Sequence, residues 1–317
     1  MTLLRLIIQR LLLGIAILFV VSALIFAGTE ILPGDVAQAI LGQGATPELL
    51  ENVRVRLGLN DPAPVRYFRW LSRLMTGNLG TSMVSGADIG QLLGERIRNT
   101  VMLAGITALI AVPLAIVLGL LSAVKPNSLT DRTISAVSLS LISLPDFLVA
   151  IVLVMIFAVK LGWLPAIANL RPGQDFYTIA RMMVLPVTVL VFTVLAHMVR
   201  MTRTAVINVL SSPATEMAIL KGVPRWRLLI VHALPNALAP IANVVALNLA
   251  FLISGIVVVE TLFNFSGLGR LMVESVTTRD IPVVQVCAII FCAVYVVLNL
   301  LADLVAIVSN PRLRYPK

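Results

Sequence analysis

Between Asn99 and Val124 the chain reads NTVMLAGITALIAVPLAIVLGLLSAV, without one charged residue. A helix crossing a bilayer needs about 20 largely apolar residues, and this stretch exceeds that length. Inside hydrocarbon every backbone N–H and C=O must find a partner within the segment, so only a helix or a closed barrel can cross. The residues show no period-two alternation, which selects the helix. Pro113 lies within the stretch and can kink it. Ala233 to Val259 forms a second charge-free run.

The rest of the chain follows the same pattern. It is 59% hydrophobic and 12% charged, with a mean hydropathy of +1.01. Soluble domains carry roughly twice that charge fraction, and one soluble core cannot absorb so much apolar surface. Six segments qualify as spans, namely 9–29, 100–124, 135–159, 182–203, 235–259 and 284–308. The expected fold is therefore an all-α membrane protein of six transmembrane helices in a single domain, residues 1–317. Arg5, Arg10 and the run after them also fit a signal peptide. That run is long and no clear small-x-small site follows, so it reads as a retained first span.

Lysine and arginine placement orients the spans. With both termini cytoplasmic, the inner segments hold Arg5, Arg10, Lys125, Arg132, Arg200, Arg203, Lys221, Arg225, Arg227, Arg312, Arg314 and Lys317, against only Asp131 and Glu216. The net charge of +9 is then a positive-inside signature rather than a nucleic-acid footprint. Residues 30–99 are too polar to span and form an expected helical cap outside the membrane. In it, Thr46 can cap a helix closed by Gly58. A second helix covers Val65 to Met75, with Tyr67, Trp70, Leu71 and Leu74 on one face. Asn78 to Ser82 reads as a turn. Shorter outer loops cover residues 160–181 and 260–283.

Between Ser211 and Pro235 the chain leaves apolar sequence for SSPATEMAILKGVPRWRLLIVHALP. Ser212 can cap a helix and Pro213 suits its first position. Gly222 can end it in a left-handed conformation, and Pro224 discourages its continuation. A compact helix of roughly two to three turns between two spans is a device for meeting a partner, or else a helix lying on the membrane surface.

Other chemistry is missing from the sequence. No G-x-x-x-x-G-K-[ST] is present, so ATP is not bound here through a P-loop. No H-E-x-x-H, nucleophile elbow or paired-cysteine motif occurs, and an enzyme is not expected. Cys287 and Cys292 stand about 140° apart around a helix and read as packing residues. His197 and His232 have no second ligand at metal-site spacing. Two carboxylates fall inside spans, where charge is costly and marks function. Asp146 is a candidate for the transport pathway. Asp303 lies near the inner end of the last span, where Arg312 or Arg314 can reach it.

Several stretches together resemble the dipeptide/oligopeptide/nickel ABC permease family, in particular its dipeptide-permease B-type subunit. They are Leu32-Pro-Gly-Asp35, Arg56-Leu-Gly-Leu59, Gly77-Asn-Leu-Gly-Thr-Ser82, Val259-Glu-Thr-Leu-Phe263 with Gly267-Leu-Gly269, Arg279-Asp-Ile-Pro-Val-Val-Gln285 and the tail Asn310-Pro-Arg-Leu-Arg314. To these is added the pattern E-x-A-x3-G-x11-L-P on Glu216, Ala218, Gly222, Leu234 and Pro235, which resembles the EAA loop of such importers. The resemblance covers essentially the whole chain. Met217 departs from it at the second alanine, His232 at a branched aliphatic, Ser266 at a proline and Asn310 at an aspartate.

The resemblance implies a permease subunit of an ATP-driven, binding-protein-dependent importer in the bacterial inner membrane, for di- or oligopeptides or a related solute. It implies a homologous second permease, two cytoplasmic ATPases that bind the ATP and Mg, and a periplasmic solute-binding protein. This chain would hold no cofactor or metal. Residues 211–235 would form the coupling loop to the ATPases, through Glu216, Met217, Ala218, Lys221, Gly222 and Arg225. Lys221, Arg225 and Arg227 then face ATPase carboxylates or lipid phosphates. A secondary transporter or channel without an ATPase is the alternative. It would be expected to show repeated halves or several intramembrane ionisable groups.

Overall fold

A computed structural model describes residues 3–31, 46–57, 60–171, 173–224, 227–228 and 234–309. The regular structure among them is helical, with one isolated bridge between Thr81 and Asp88. In chain order the helices are α1 (Leu3–Ile31), α2 (Pro47–Leu57), α3 (Ala63–Met75), α4 (Ile89–Val124), α5 (Leu129–Ser143), α6 (Asp146–Leu153), α7 (Phe176–Leu210), α8 (Pro213–Leu220), α9 (Leu234–Leu262), α10 (Leu268–Thr277) and α11 (Ile281–Ser309). Five helices contain stretches long and apolar enough to cross a membrane, at Ile7–Ile31, Ile89–Val124, Phe176–Leu210, Pro240–Leu262 and Ile281–Val305.

The sixth expected span, 135–159, is not one straight helix. It is divided into α5 and α6, which continues as a π-helical segment Val154–Lys160, and the two parts bend by 102°. Pro145 causes the division. A residue before proline is pushed out of the helical region, and Leu144 is extended at φ −98°, ψ 129°. Asp146 therefore does not sit mid-helix as expected. It opens α6, directly after the break.

Two compact units divide the chain. One comprises residues 13–100 and 266–293. Here Tyr67 of α3 is buried between Phe19 and Phe26 of α1, and its hydroxyl shares a hydrogen bond with Ser22 at 2.8 Å. Trp70 lies against the same rings. This is the face expected of α3, now with its partner identified. Arg66 also pairs with Glu30 of α1. A core of Ile89, Leu93, Leu268, Leu271, Val283 and Val286 joins α4, α10 and α11. The turn at Gly80-Thr-Ser82 is tied down by Asp280, whose buried carboxylate accepts from the Ser82 hydroxyl and from the Met83 N–H at 3.0 Å. Gly58 and Leu32 to Asp35 lie outside the described residues.

The other unit comprises residues 1–12, 101–265 and 294–317. Its centre is α7, which buries Val189, Leu190, Val194, Met198, Val199 and Val206. It packs against α9, α5 and α6. Asp175 caps α7, accepting from the Thr178 N–H at 3.0 Å and its hydroxyl at 2.6 Å, and those bonds hold its carboxyl below the usual carboxylate range. Asp303 pairs with Arg10 of α1 at 3.0 Å. The expected partners Arg312 and Arg314 lie outside the described residues, and the first helix supplies the cation instead.

Candidate functional site

The short helix between α7 and α9 forms where its local signals place it. Pro213 begins α8, and the Thr215 N–H bonds back to the Ser212 carbonyl at 3.0 Å. Gly222 stands at φ +77°, a conformation in which a Cβ would crowd the following carbonyl. The Lys221 N–H reaches the Met217 carbonyl at 3.1 Å and closes the last turn.

Thr215, which sequence reasoning passed over, fixes this helix to its neighbour. It is buried. Its hydroxyl donates to the Val209 carbonyl at 2.9 Å and shares a bond with Ser212 Oγ at 3.1 Å. The Val209 carbonyl already accepts the Ser212 N–H at 3.0 Å, and the Thr215 hydroxyl adds a second bond to it that ties α8 to the end of α7. Beneath, Ala123, Val206, Ala237 and Ile241 make a small core shared by α4, α7 and α9.

Of the predicted coupling residues, Met217 is 56% exposed, and Lys221 and Gly222 are exposed. Glu216 and Ala218 are the fourth and sixth residues of α8. Arg225 lies outside the described residues, as does His232.

A second feature is the ion pair of Asp131 and Arg203. Sequence alone counts Asp131 as a counter-charge in a basic loop. The structure buries it to 2% exposure. Arg203 of α7 grips it with both arms of its guanidinium, Nε to Oδ1 at 2.7 Å and Nη2 to Oδ2 at 2.8 Å. The Asn127 N–H adds a bond to Oδ2 at 2.8 Å, and the Ser122 hydroxyl donates to Oδ1. A carboxylate takes a planar guanidinium this way because the fork geometries match. Asn127 reaches its place at φ +64°, which asparagine tolerates. The pair thus clamps the turn between α4 and α5 to α7, about three turns before α8 begins. No pattern at short range signals it, since the partners are 72 residues apart.

Asp146 meets α7 one side of the break. The Thr193 hydroxyl donates to its Oδ1 at 2.9 Å. Gly255 of α9 lies beside the other oxygen, where an added Cβ would stand 3.6 Å from Oδ2. Further along α7, an open groove of about 530 Å³ is lined by His197, Arg200, Thr204 and Asn208 from α7 and by Pro240 and Val244 from α9. Among the described residues no group of three or more histidine, cysteine or acidic side chains is placed to hold a metal.

Residues 115–315 match the family described as binding-protein-dependent transport system inner membrane component. Residues 3–104 match the N-terminal membrane component of the same systems. The chain belongs to this permease family.

The permease has relatives along its whole length. It is 34% identical over 309 residues to a probable peptide ABC transporter permease, y4tP, of Sinorhizobium fredii, covering 98% of this chain and 99% of the relative. A putative peptide transport system permease of Brucella abortus is 34% identical over 310 residues, with 98% and 99% covered. The glutathione transport system permease GsiC of Escherichia coli K12 is 36% identical over 309 residues, covering 98% of each. The permease is thus a multi-pass membrane subunit of an ABC importer, a class that works with ATPase and solute-binding partners. The family is one of transport rather than catalysis.

Proposed function

We propose that this permease forms, with a homologous second permease, the translocation path of an ATP-driven importer in the bacterial inner membrane. Short peptides or peptide-like solutes are its cargo, as the names of its peptide- and glutathione-transporting relatives suggest. Both termini are cytoplasmic, and α2 and α3 belong to a cap on the outer face, where a periplasmic solute-binding protein delivers cargo. Two cytoplasmic ATPases bind ATP and Mg and receive α8 as the coupling helix. In this reading Glu216, Met217, Ala218, Lys221, Gly222 and Arg225 contact or position the ATPase, and Asp146 lines the path.

The attachment of α8 carries the reading. Thr215 bonds to the final turn of α7, and α7 is the most deeply packed helix of its unit. Motion of an ATPase against α8 is then transmitted to the core rather than absorbed by a slack loop. Alternating access requires a bistable transmembrane part whose two states bind the partners differently. A firmly docked lever meets that requirement.

The test is a mild-detergent pull-down from the native membrane with every co-purifying chain identified. Recovery of a second permease and P-loop ATPases is the expected result. Recovery of this chain alone, from a preparation that preserves known complexes, would overturn the reading in favour of a secondary transporter.

A further inference from the structure

The coupling role leaves one face of α7 unused. Thr193, His197, Arg200, Thr204 and Asn208 recur at three- and four-residue steps and so share a side of the helix. The residues between them, Val194, Met198, Val199 and Val206, are buried. At one end of the stripe Thr193 holds Asp146. From His197 onward it opens into the groove against Pro240 and Val244.

Two facts about this groove bear on a ligand. No carboxylate is among the described residues that line it. Arg200 is exposed there, and it pairs with no carboxylate among the described residues, whereas Arg203 one turn on is held by Asp131. Arg200 stands near the inner end of the expected span 182–203, where a cation without a carboxylate partner serves a polar path, a ligand or lipid phosphates. Beside it Met201 and Val244 offer apolar surface, and Phe251 stands edge-on to the His197 ring at 6.3 Å. Apolar walls with a few converging polar groups are the ordinary make-up of a small-molecule site.

Resting on the importer reading above, we propose that the groove is a carboxylate subsite for a short peptide. Arg200 takes the C-terminal carboxylate through its paired N–H donors, and the ammonium end is directed toward Asp146. The spacing fits. Thr193, which holds Asp146, and Arg200 are separated by about 10 Å of helix rise. An extended tripeptide spans about 10–11 Å.

The test uses the complex purified from native membrane with its co-purifying chains and placed in vesicles. Thr204→Cys is introduced together with Cys292→Ser, Cys287 being fully buried. The thiol is labelled with the sulfonate and the trimethylammonium forms of ethyl methanethiosulfonate. The sulfonate is expected to react about tenfold faster than the cation, because a cleft lined by one charge sign concentrates the opposite one. Arg200→Gln should bring the ratio near unity. Trialanine should protect the thiol, and trialanine C-terminal amide should not.

Labelling that ignores both Arg200 and the free carboxylate would overturn the proposal and assign Arg200 to lipid phosphates. Labelling of the isolated chain but not of the complex would overturn it too, with the second permease covering the face. ATP-driven import of labelled trialanine, measured in the same vesicles, separates this proposal from the importer reading. Import without protection sinks the subsite alone, and protection without import sinks the importer reading.

Discussion

Replacing Asp131 with asparagine keeps the shape of the side chain and removes its charge. The native carboxylate is nearly fully buried, with its side chain 3% exposed against 27% for Arg203. It accepts two bonds from Arg203, one from the Asn127 N–H and one from Ser122. Breaking a buried pair by removing one partner costs roughly 3–5 kcal/mol, because the remaining charge stays uncompensated. Arg203 retains some solvent, which moves the expectation to the lower end, about 3 kcal/mol. That is on the order of a hundredfold in the folding equilibrium. Arg203→Gln should cost a similar amount. The double variant should fall well short of the sum, with a coupling of about 2 kcal/mol, since partners in one network are not additive. Equilibrium unfolding of the purified permease in mixed micelles of increasing SDS content, followed by circular dichroism, reads all three values. A cost below about 1 kcal/mol for Asp131→Asn, or simple additivity in the double variant, would refute the clamp.

Three other outcomes are expected. Gly119→Ala places a Cβ 2.7 Å from the Thr202 side chain, and overpacking of this helix contact should cost about 1–3 kcal/mol in the same titration; a neutral result would mean that α4 and α7 pack less closely. Asp280→Ala strips the Ser82 hydroxyl and the Met83 N–H of their acceptor and should cost about 2 kcal/mol, with proteolysis near residue 83 reporting the loosened turn. Gly222→Asp meets no atom within 4 Å, so its cost is confined to the left-handed backbone, about 1–2 kcal/mol. The variant should insert normally yet lose ATP-driven uptake, and wild-type uptake with normal ATPase association would remove α8 from the coupling role.

What the sequence disclosed was local. Pro213 and Gly222 delimit α8 because proline's preference for a first turn and a positive φ are properties of single residues. The apolar runs disclosed the spans for the same reason. Pro145 lies inside the expected span 135–159, yet the 102° bend there depends on what α6 packs against, which periodicity does not encode. Asp131 was hidden because a lone acid among basic residues ordinarily faces water. Its burial follows from Arg203, far along the chain. Asp303 was recognised as needing a cation, and the fold brings Arg10 of α1 to it; Arg312 and Arg314, named from the sequence, lie outside the described residues. Thr215 was overlooked because threonine inside a short helix has no signature, and only the carbonyl of Val209 reveals its use.

The distance in sequence between Asp131 and Arg203 also bears on how the protein is made. Ribosomes add about 5–20 residues per second, so the 72 residues between them take about 4–14 s to synthesise. For that interval the nascent chain carries an orphan anion at the membrane edge, with its guanidinium still untranslated. The turn between α4 and α5 therefore gains its clamp only when α7 has been made. The bond that clamps the finished permease can thus form only after the helix that leads to α8 has been synthesised.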